Sequence, residues 1–206
     1  MTSTQTNHAV TGREQLLALY GPVPVRAAGK VHPALDAHDR AFVARSPFLL
    51  LATVARDGLL DVSPRGDLPG FVSVLDDGRL VLPDRPGNNR VDSLLNVVSD
   101  PRVALILLVP GVGHTLRVNG TAVVTTDPDL LALGEVRGRL PRTALAVTPV
   151  EVLYQCPRAL VRSRLWDVAA QAAPGELPEL DVVLADQVGI SVEESRRHGA
   201  KKDPLW

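Results

Sequence analysis

The sequence predicts a mainly β protein of the α+β class, built on an antiparallel sheet with flanking helices. Apolar runs of strand length recur between residues 48 and 156, and two of them are followed by an Asp-Gly pair, the dipeptide typical of tight hairpins. Residues 114–126 also alternate between the two faces of a strand. Because hairpin-linked strands pair antiparallel, several strands at this spacing indicate a sandwich or a barrel.

The bulk composition excludes several classes of protein. The chain has 206 residues, of which 45% are hydrophobic and 22% charged, and a net charge of −1 gives no basic excess for nucleic acid. The single cysteine, Cys156, excludes a disulfide framework, and we expect it to be a buried structural thiol. The apolar runs are too short to span a membrane, and the N-terminus lacks a signal-peptide pattern. We therefore expect a cytoplasmic protein.

The chain opens and closes with helices. Helices are predicted at 13–21 and 36–47, so that residues 1–45 form an N-terminal helical extension. After the sheet, a short helix begins at Pro157, residues 168–176 form a linker, and residues 177–189 are helical. Ser191 and Glu194 match a capping box that opens a last helix. We expect the C-terminal part, residues 168–206, to pack on the barrel or on a partner through its apolar stripe, which consists of Leu177, Leu180, Leu184 and Val188.

A six-stranded sheet is predicted between these helices, although the segments with strand character number seven. Apolar or alternating segments lie at 48–55, 59–64, 102–111, 114–126 and 142–156, and the Asp77-Gly78 pair makes a hairpin of residues 70–84. A helix at about 90–98 is inserted between the fourth and fifth strands, and a short helix follows the segment 114–126.

The segment LPDRPGNNRVDSLLN, residues 82–96, places two asparagines and an arginine where a strand gives way to that inserted helix. The first backbone N–H groups of a helix are a ready site for phosphate, and arginine adds a planar, charged donor. Asn88, Asn89, Arg90 and Ser93 are therefore candidate phosphate ligands. The alternative is that the asparagines merely cap the helix and Arg90 is solvated.

Further candidates lie on other segments. Ser63 and Arg65 end the second predicted strand and form a possible second donor cluster, although Arg65 could instead pair with Asp61 or Asp67. Arg117 shares a strand face with Asn119, so that face is solvated, paired or ligand-bound. Trp166 either fills the core or stacks on a flat ring.

The segment HPALDAHDR offers four side chains that bind metals elsewhere, namely His32, Asp36, His38 and Asp39. The two histidines are six residues apart and do not share a helical face, so we favour a solvated helix surface and predict no metal.

Taken together, these motifs resemble the FMN-binding split-barrel proteins of the pyridoxamine 5′-phosphate oxidase-like superfamily. The resemblance covers about residues 46–167 and is nearest to a bacterial subgroup of FMN-dependent, oxidase-like flavoproteins. It is carried by SPFLLLATVARDGLLDVSPRGD, GFVSVLDDGRLVLPDRPGNNRVDSLLNVVSDPRVALILLVPG, TLRVNGTAVV and CPRALVRSRLWD in this order. Each piece alone is a weak motif, and the ordered set is specific.

The resemblance implies a six-stranded antiparallel Greek-key split β-barrel and a homodimer with FMN at the subunit interface. It assigns the phosphate to Ser63, Arg65, Asn89 and Arg90, and the flavin edge to Leu82, Pro83 and Asp84. A segment from the other subunit would approach the flavin through Ser163, Arg164 and Trp166. Arg117 belongs to the TLRVNG part of the matched set and is a further cofactor-binding candidate.

The resemblance also predicts the class of activity. We expect an FMN-dependent oxidoreductase acting on an unidentified small molecule, because flavin supplies the redox chemistry and the protein supplies position and electrostatics. No general acid or base is identifiable. Two alternatives stay open: a non-catalytic flavin store or sensor, and a barrel that binds deazaflavin or haem. The C-terminus, GAKKDPLW, lacks the arginine-rich ending that recognises vitamin B6 substrates in true pyridoxamine-phosphate oxidases.

Overall fold

The computed structural model describes residues 8–200 and divides the chain into two units, residues 1–31 and residues 32–206. The first unit contains α1 (Arg13–Tyr20) and α2 (Val25–Ala28). The predicted helix at 13–21 is therefore confirmed. The division falls after Val31 and not after residue 45, so the second predicted helix belongs to the unit that contains the sheet.

That helix, α3 (Ala37–Arg45), is fixed by its own first turn. The Asp36 side chain accepts hydrogen bonds from the backbone N–H groups of His38 and Asp39. The Asp39 side chain in turn accepts a hydrogen bond from the Asp36 N–H, which completes a capping box. Just before the helix, His32 exchanges two backbone hydrogen bonds with Val152 of the sheet.

The sheet is mainly antiparallel and forms a half-barrel with flanking helices. It has seven strands and not the six predicted, because all seven segments with strand character form strands. Their spatial order is β2-β1-β5-β6-β7-β4-β3. The strands are β1 (Phe48–Val54), β2 (Leu60–Gly66), β3 (Ser73–Val74), β4 (Leu80–Pro83), β5 (Arg102–Leu108), β6 (Thr115–Thr125) and β7 (Ala144–Gln155).

Two predicted hairpins join β1 to β2 and β3 to β4. Their glycines, Gly58 and Gly78, have φ values of 85° and 89°, a region that glycine enters without the steric cost of a side chain. The aspartates before them accept the N–H of the residue after the glycine, Leu59 and Arg79 respectively. The Asp-Gly pairs therefore set these turns as the sequence predicts.

The core lies on the inner face of the sheet, beneath α4 (Asp92–Ser99). β1 and β5 alternate strictly and place Leu49, Leu51, Leu105 and Leu107 there with no exposed surface. β2 departs from this pattern, since its polar residues Asp61, Ser63 and Arg65 lie beside Thr53, Leu51 and Leu49 on the inner side.

The opposite, outer face of these three strands is apolar. The register aligns side chains of β2, β1 and β5 across it, and each is partly or fully exposed; they are Leu60, Val62, Pro64, Leu50, Ala52, Val54, Ala104, Ile106 and Leu108. Leu60 is 79% exposed and Val62 is 59% exposed. A contiguous exposed apolar face of this kind marks an interaction surface. We call these nine residues the outer face.

The remaining helices are α5 (Pro128–Ala132), α6 (Arg158–Arg162), a short 3-10 helix (Val168–Ala170) within the predicted linker, α7 (Leu180–Val188) and α8 (Val192–Ala200). Ser191 accepts the Glu194 N–H, which is one half of the predicted capping box. The last part of GAKKDPLW, residues 201–206, lies outside the described residues. Among those described, no helix has the length and hydropathy to cross a bilayer.

The structure corrects the expectation for Cys156 and leaves open only one of the two partners expected for the apolar stripe. The apolar stripe of residues 177–188 does not pack on the barrel within one chain, because Leu180 and Val188 are each 67% exposed. α7 instead contacts α8, where Ser195 donates to Asp181 at 3.0 Å. Cys156 is exposed and not buried, since it follows the last residue of β7. Packing of the stripe on a partner stays a prediction.

Candidate functional site

The N-terminus of α4 lacks a side-chain cap. The residue in the capping position is Val91, which has no polar side chain, and no side chain bonds to the first N–H groups of the helix. Asn88 accepts the N–H of Arg90, two residues before α4 begins, and Asn89 adopts a left-handed φ of 60°. The capping alternative for the two asparagines is therefore wrong: they shape the approach to the helix and leave its N–H groups open.

Three candidate ligands meet directly beneath this helix end. Ser93, which is 3% exposed, lies with its Oγ 3.1 Å from Ser63 Oγ, and Arg65 Nε donates to Ser63 at 3.4 Å. Arg65 also forms an ion pair of 3.1 Å with Asp84 at the end of β4. The structure thus joins the predicted phosphate ligands of β2 and α4 to the predicted flavin-edge residue Asp84. The partner of Arg65 is Asp84, and neither Asp61 nor Asp67.

Three further residues extend this cluster and were not among the predicted ligands, namely Asp61, Thr53 and Asn96. Asp61 accepts a hydrogen bond from Ser93 at 3.1 Å and a long one from Thr53 at 3.4 Å. Asn96, one helical turn after Ser93, donates to Thr53 at 3.0 Å. Asp61 could have been found from the sequence, because residues two apart along a strand share a face and Asp61 therefore lies on the same side as Ser63 and Arg65. Thr53 looked like an ordinary strand residue.

A second ion pair lies beside the first. Asp67, whose side chain is 2% exposed, is 2.6 Å from Arg85 Nε, and Arg85 also donates to the backbone carbonyl of Gly134. A Cβ on Gly134 would lie 2.6 Å from the Pro83 side chain, so only glycine lets this loop pack against β4. Two neighbouring pairs, Arg65–Asp84 and Asp67–Arg85, therefore tie the end of β2 to the end of β4.

The small cavity at this junction is lined mainly by apolar side chains, namely Leu51, Leu82, Pro83, Leu94 and Leu145 together with Arg65 and Asp84. Leu82 and Pro83 are among the predicted flavin-edge residues, so the structure brings them to the same place as Arg65. One chain encloses only about 10 Å³ here, room for about one water molecule.

Arg90 and Arg117 are placed differently. Arg90 is largely exposed and forms an ion pair with Asp92, the first residue of α4, at 2.8 Å. Arg117 lies on the outer side of the sheet, where it donates to Glu151 at 2.6 Å while Asn119 donates to the same carboxylate oxygen at 2.9 Å. Of the three possibilities for the Arg117 face, the structure shows pairing. No contact joins Arg117 to the Ser63–Ser93 cluster.

Ser163, Arg164 and Trp166 lie apart from that cluster within one chain. The Trp166 indole donates to the Val112 carbonyl at 2.9 Å, and Arg164 pairs with Asp167 while adopting a left-handed φ of 53°. Arg164 and Trp166 line a cleft of about 320 Å³ beside the loop between β5 and β6. This cleft shares no lining residue with the cavity at Arg65.

The HPALDAHDR segment forms a separate polar cluster. His32 Nε2 lies 2.6 Å from the buried Asp39, and donor atoms of His32, Asp36 and Asp39 fall within 4.8 Å of one another. Backbone hydrogen bonds at the helix start, that of Asp39 first, lower the pKa of Asp36. Burial, with the nearby Asp39 charge, raises the pKa of Tyr154 to about 12. The structure thus gathers three of the four residues considered for a metal.

Comparison with known proteins gives one sequence match and several structural ones. The family model described as pyridoxamine 5′-phosphate oxidase matches residues 35–156. No curated protein matches the chain.

Solved structures give only distant likenesses. HupZ of Group A Streptococcus is 12% identical, with 57% of this chain and 91% of that chain covered and a TM-score of 0.47. A protein of Clostridium acetobutylicum related to general stress protein 26, of the pyridoxinephosphate oxidase family, is 14% identical over 58% and 86%, with a TM-score of 0.41. The heme storage protein HutZ of Vibrio cholerae is 12% identical over 60% and 94%, with a TM-score of 0.40.

Proposed function

The chain belongs to the pyridoxamine 5′-phosphate oxidase family, and on that premise we propose that it is an FMN-dependent oxidoreductase acting on a small molecule. Proteins of this family often bind flavin. The observation that carries the proposal is the uncapped start of α4, whose Ser93 contacts Ser63 and, through it, Arg65 of β2. Open N–H groups, hydroxyls and a guanidinium are the donors that a phosphate group requires.

The donor set fits the phosphate of FMN. The open N–H groups of α4 carry the positive end of the helix dipole, and Arg65 is held at their side by Asp84. Arg90 supplies a second guanidinium at the same helix end, with Asn88 and Asn89 shaping the backbone before it. Each arginine already has a carboxylate partner, but a guanidinium has five N–H donors and can bind a phosphate oxygen as well.

The apolar lining fits the flavin ring. Leu82 and Pro83 lie at the end of β4, next to Leu94 of α4 and Leu145 of β7, so the same junction offers an apolar wall beside the polar donors. Binding sites for cofactors combine these two features. Bound FMN would supply the redox chemistry, while Asp84 and Arg65 would fix its orientation from the protein side.

We propose a homodimer in which the second copy covers the outer face. Proteins of this family are commonly dimeric. β1 and β5 are apolar on both sides, which is typical of strands that are covered on both sides. Because Ser163, Arg164 and Trp166 do not reach Arg65 within one chain, the second copy is the proposed route by which this segment completes a flavin site. Arg117 and Glu151, at the side of the outer face, would lie near that contact.

The test begins with the absorbance spectrum of the purified protein. Apo protein is then titrated with FMN and with riboflavin, and bound flavin is mixed with NADH or NADPH under anaerobic conditions. We expect saturable FMN binding, tighter than riboflavin binding, and bleaching of the flavin band by a reductant. A protein that takes up no flavin contradicts the proposal. Binding without reduction by any tested donor would favour a flavin store over an enzyme.

A further inference from the structure

We propose that Asp61 tunes this site against a doubly charged phosphate. The inference rests on the proposed flavin site and concerns a residue outside the predicted ligands. Asp61 Oδ2 lies 3.1 Å from Ser93 Oγ, next to the contact between Ser63 of β2 and Ser93 in the first turn of α4. A carboxylate only accepts hydrogen bonds, and each serine has one hydroxyl proton to give.

Those two rules fix the direction of the hydrogen-bond chain. Ser93 gives its proton to Asp61, so in the 3.1 Å contact between the two serines the donor is Ser63. Arg65 then donates to Ser63. The chain runs from Arg65 through Ser63 and Ser93 to Asp61, and both hydroxyl protons point along it toward the carboxylate.

A phosphate at the start of α4 needs those protons for itself, because its oxygens accept hydrogen bonds. To donate to it, Ser93 must turn away from Asp61, and the partly exposed carboxylate then keeps only solvent and the 3.4 Å contact to Thr53. The charge of Asp61 also repels a dianion more strongly than a monoanion. Asp61 therefore opposes binding twice, by holding the protons and by its charge.

The substitution Asp61→Asn reverses both effects. An asparagine amide keeps one acceptor oxygen and gains an NH₂ group that can donate to Ser93 Oγ, so the serine protons are released toward the ligand. The negative charge is lost at the same time. Asp76→Asn is the matched control, because Asp76 is an exposed carboxylate in the β3–β4 turn, away from the cluster.

The first experiment measures dissociation constants for FMN and riboflavin by fluorescence titration of the wild type and both variants. The ratio of riboflavin to FMN constants isolates the phosphate contribution. We expect this ratio to rise about tenfold in Asp61→Asn, as for one gained charge-assisted hydrogen bond, with riboflavin affinity unchanged. The control keeps the wild-type ratio. A merely structural role of Asp61 would change both constants together, and an unchanged or lower ratio overturns the inference.

The second experiment uses inorganic phosphate as the probe, followed by calorimetry, and does not depend on flavin. If no protein binds flavin, the proposed function fails, while phosphate still tests Asp61. We expect Asp61→Asn to bind phosphate about tenfold more tightly than wild type. Equal affinities, or no binding by either protein, overturn the inference. If Asp61→Asn fails to fold, Asp61→Ser provides the same neutral donor, with the same expected direction and the same overturning result.

Discussion

β2 and β5 flank the same strand, β1, yet they use their inner faces in opposite ways. β5 places Val103, Leu105 and Leu107 beside Thr53, Leu51 and Leu49, and these three apolar side chains are buried. β2 meets the same three residues of β1 from the other side with Asp61, Ser63 and Arg65, whereas its apolar Leu60, Val62 and Pro64 point outward.

This inversion has a physical meaning. Polar groups on the inner side of a sheet cost free energy unless they are hydrogen-bonded, and exposed apolar side chains gain nothing from folding. β2 therefore contributes little to the core of a single chain. The polar residues face α4, where they find partners, and the apolar residues face outward, where a second copy would bury them. β5 serves stability, and under the proposed function β2 would serve binding on both of its faces.

The largest expected effect comes from a substitution on the outer face of β2. Val62→Asp should convert the proposed dimer to a monomer, because an uncompensated buried charge costs about 3–5 kcal/mol. The single chain should still fold, since Val62 is 59% exposed in it. Light scattering at micromolar concentration measures the outcome. Leu19→Asp, at a residue of α1 that is 68% exposed, is the control and should stay dimeric. A dimeric Val62→Asp protein would show that the outer face is not the interface.

A matched pair of substitutions beside Leu51 compares what the inner faces of β5 and β2 contribute to stability. Leu105→Ala on β5 removes fully buried side-chain volume and should lower the free energy of unfolding by about 2–5 kcal/mol. Ser63→Ala on β2 should lower it by about 1–2 kcal/mol, because it removes the 3.1 Å hydrogen bond to Ser93 and the long 3.4 Å hydrogen bond from Arg65 but no apolar side-chain volume. Urea melts measure both. Equal losses would mean that β2 supports the core as β5 does.

FMN affinity, unlike stability, should depend mainly on the polar residues of β2. Arg65→Ala removes a charge-assisted donor worth about 1.5–3 kcal/mol, so FMN affinity should fall about tenfold to a hundredfold. Arg90→Ala should have a smaller effect, because the Arg90 side chain is 76% exposed and screened by solvent. Arg79→Ala removes a guanidinium paired with Asp77 in the β3–β4 turn and should leave FMN affinity unchanged. A hundredfold loss in the Arg79→Ala control would point to general electrostatics and not to a phosphate site.

The smallest effect concerns the exposed end of β5. Hydrogen bonds from Arg102 lower the pKa of Asp100 from 3.8 to about 2. A carboxyl with a lowered folded-state pKa stabilises the protein above its unfolded pKa and loses that contribution as the pH falls through the folded value. We therefore expect a slight loss of stability between about pH 4 and pH 2 that is absent in Asp100→Asn. Acid melting curves that coincide for both proteins would contradict it.

Much of the architecture followed from local sequence. The Asp57-Gly58 and Asp77-Gly78 turns, the helix after Asn-Asn-Arg, and the helix predicted at 36–47 all depend on residues a few positions apart. The predicted sheet nevertheless had one strand too few, because six strands were predicted where seven segments have strand character. The family resemblance predicted Ser63 and Arg65 as phosphate ligands, and the position of Ser93 at the start of the inserted helix made it a separate candidate. The structure places Ser63 within hydrogen-bond distance of both Arg65 and Ser93.

The sequence alone therefore determined the period of two along each strand, the turns between strands, and the donors available at the start of α4. The tertiary structure decided which of those donors meet. Asp84 reaches Arg65, and Asp61 reaches Ser93, only because α4 folds back over β2 and because β4 ends beside it. The tertiary structure also decided that the asparagines do not cap the helix and that the Trp166 segment lies apart from Arg65 within one chain. The physical reason is that turns and alternation depend on neighbouring residues, whereas the Arg65–Asp84 ion pair and the Ser93–Asp61 hydrogen bond join residues 19 and 32 positions apart and depend on how whole elements pack.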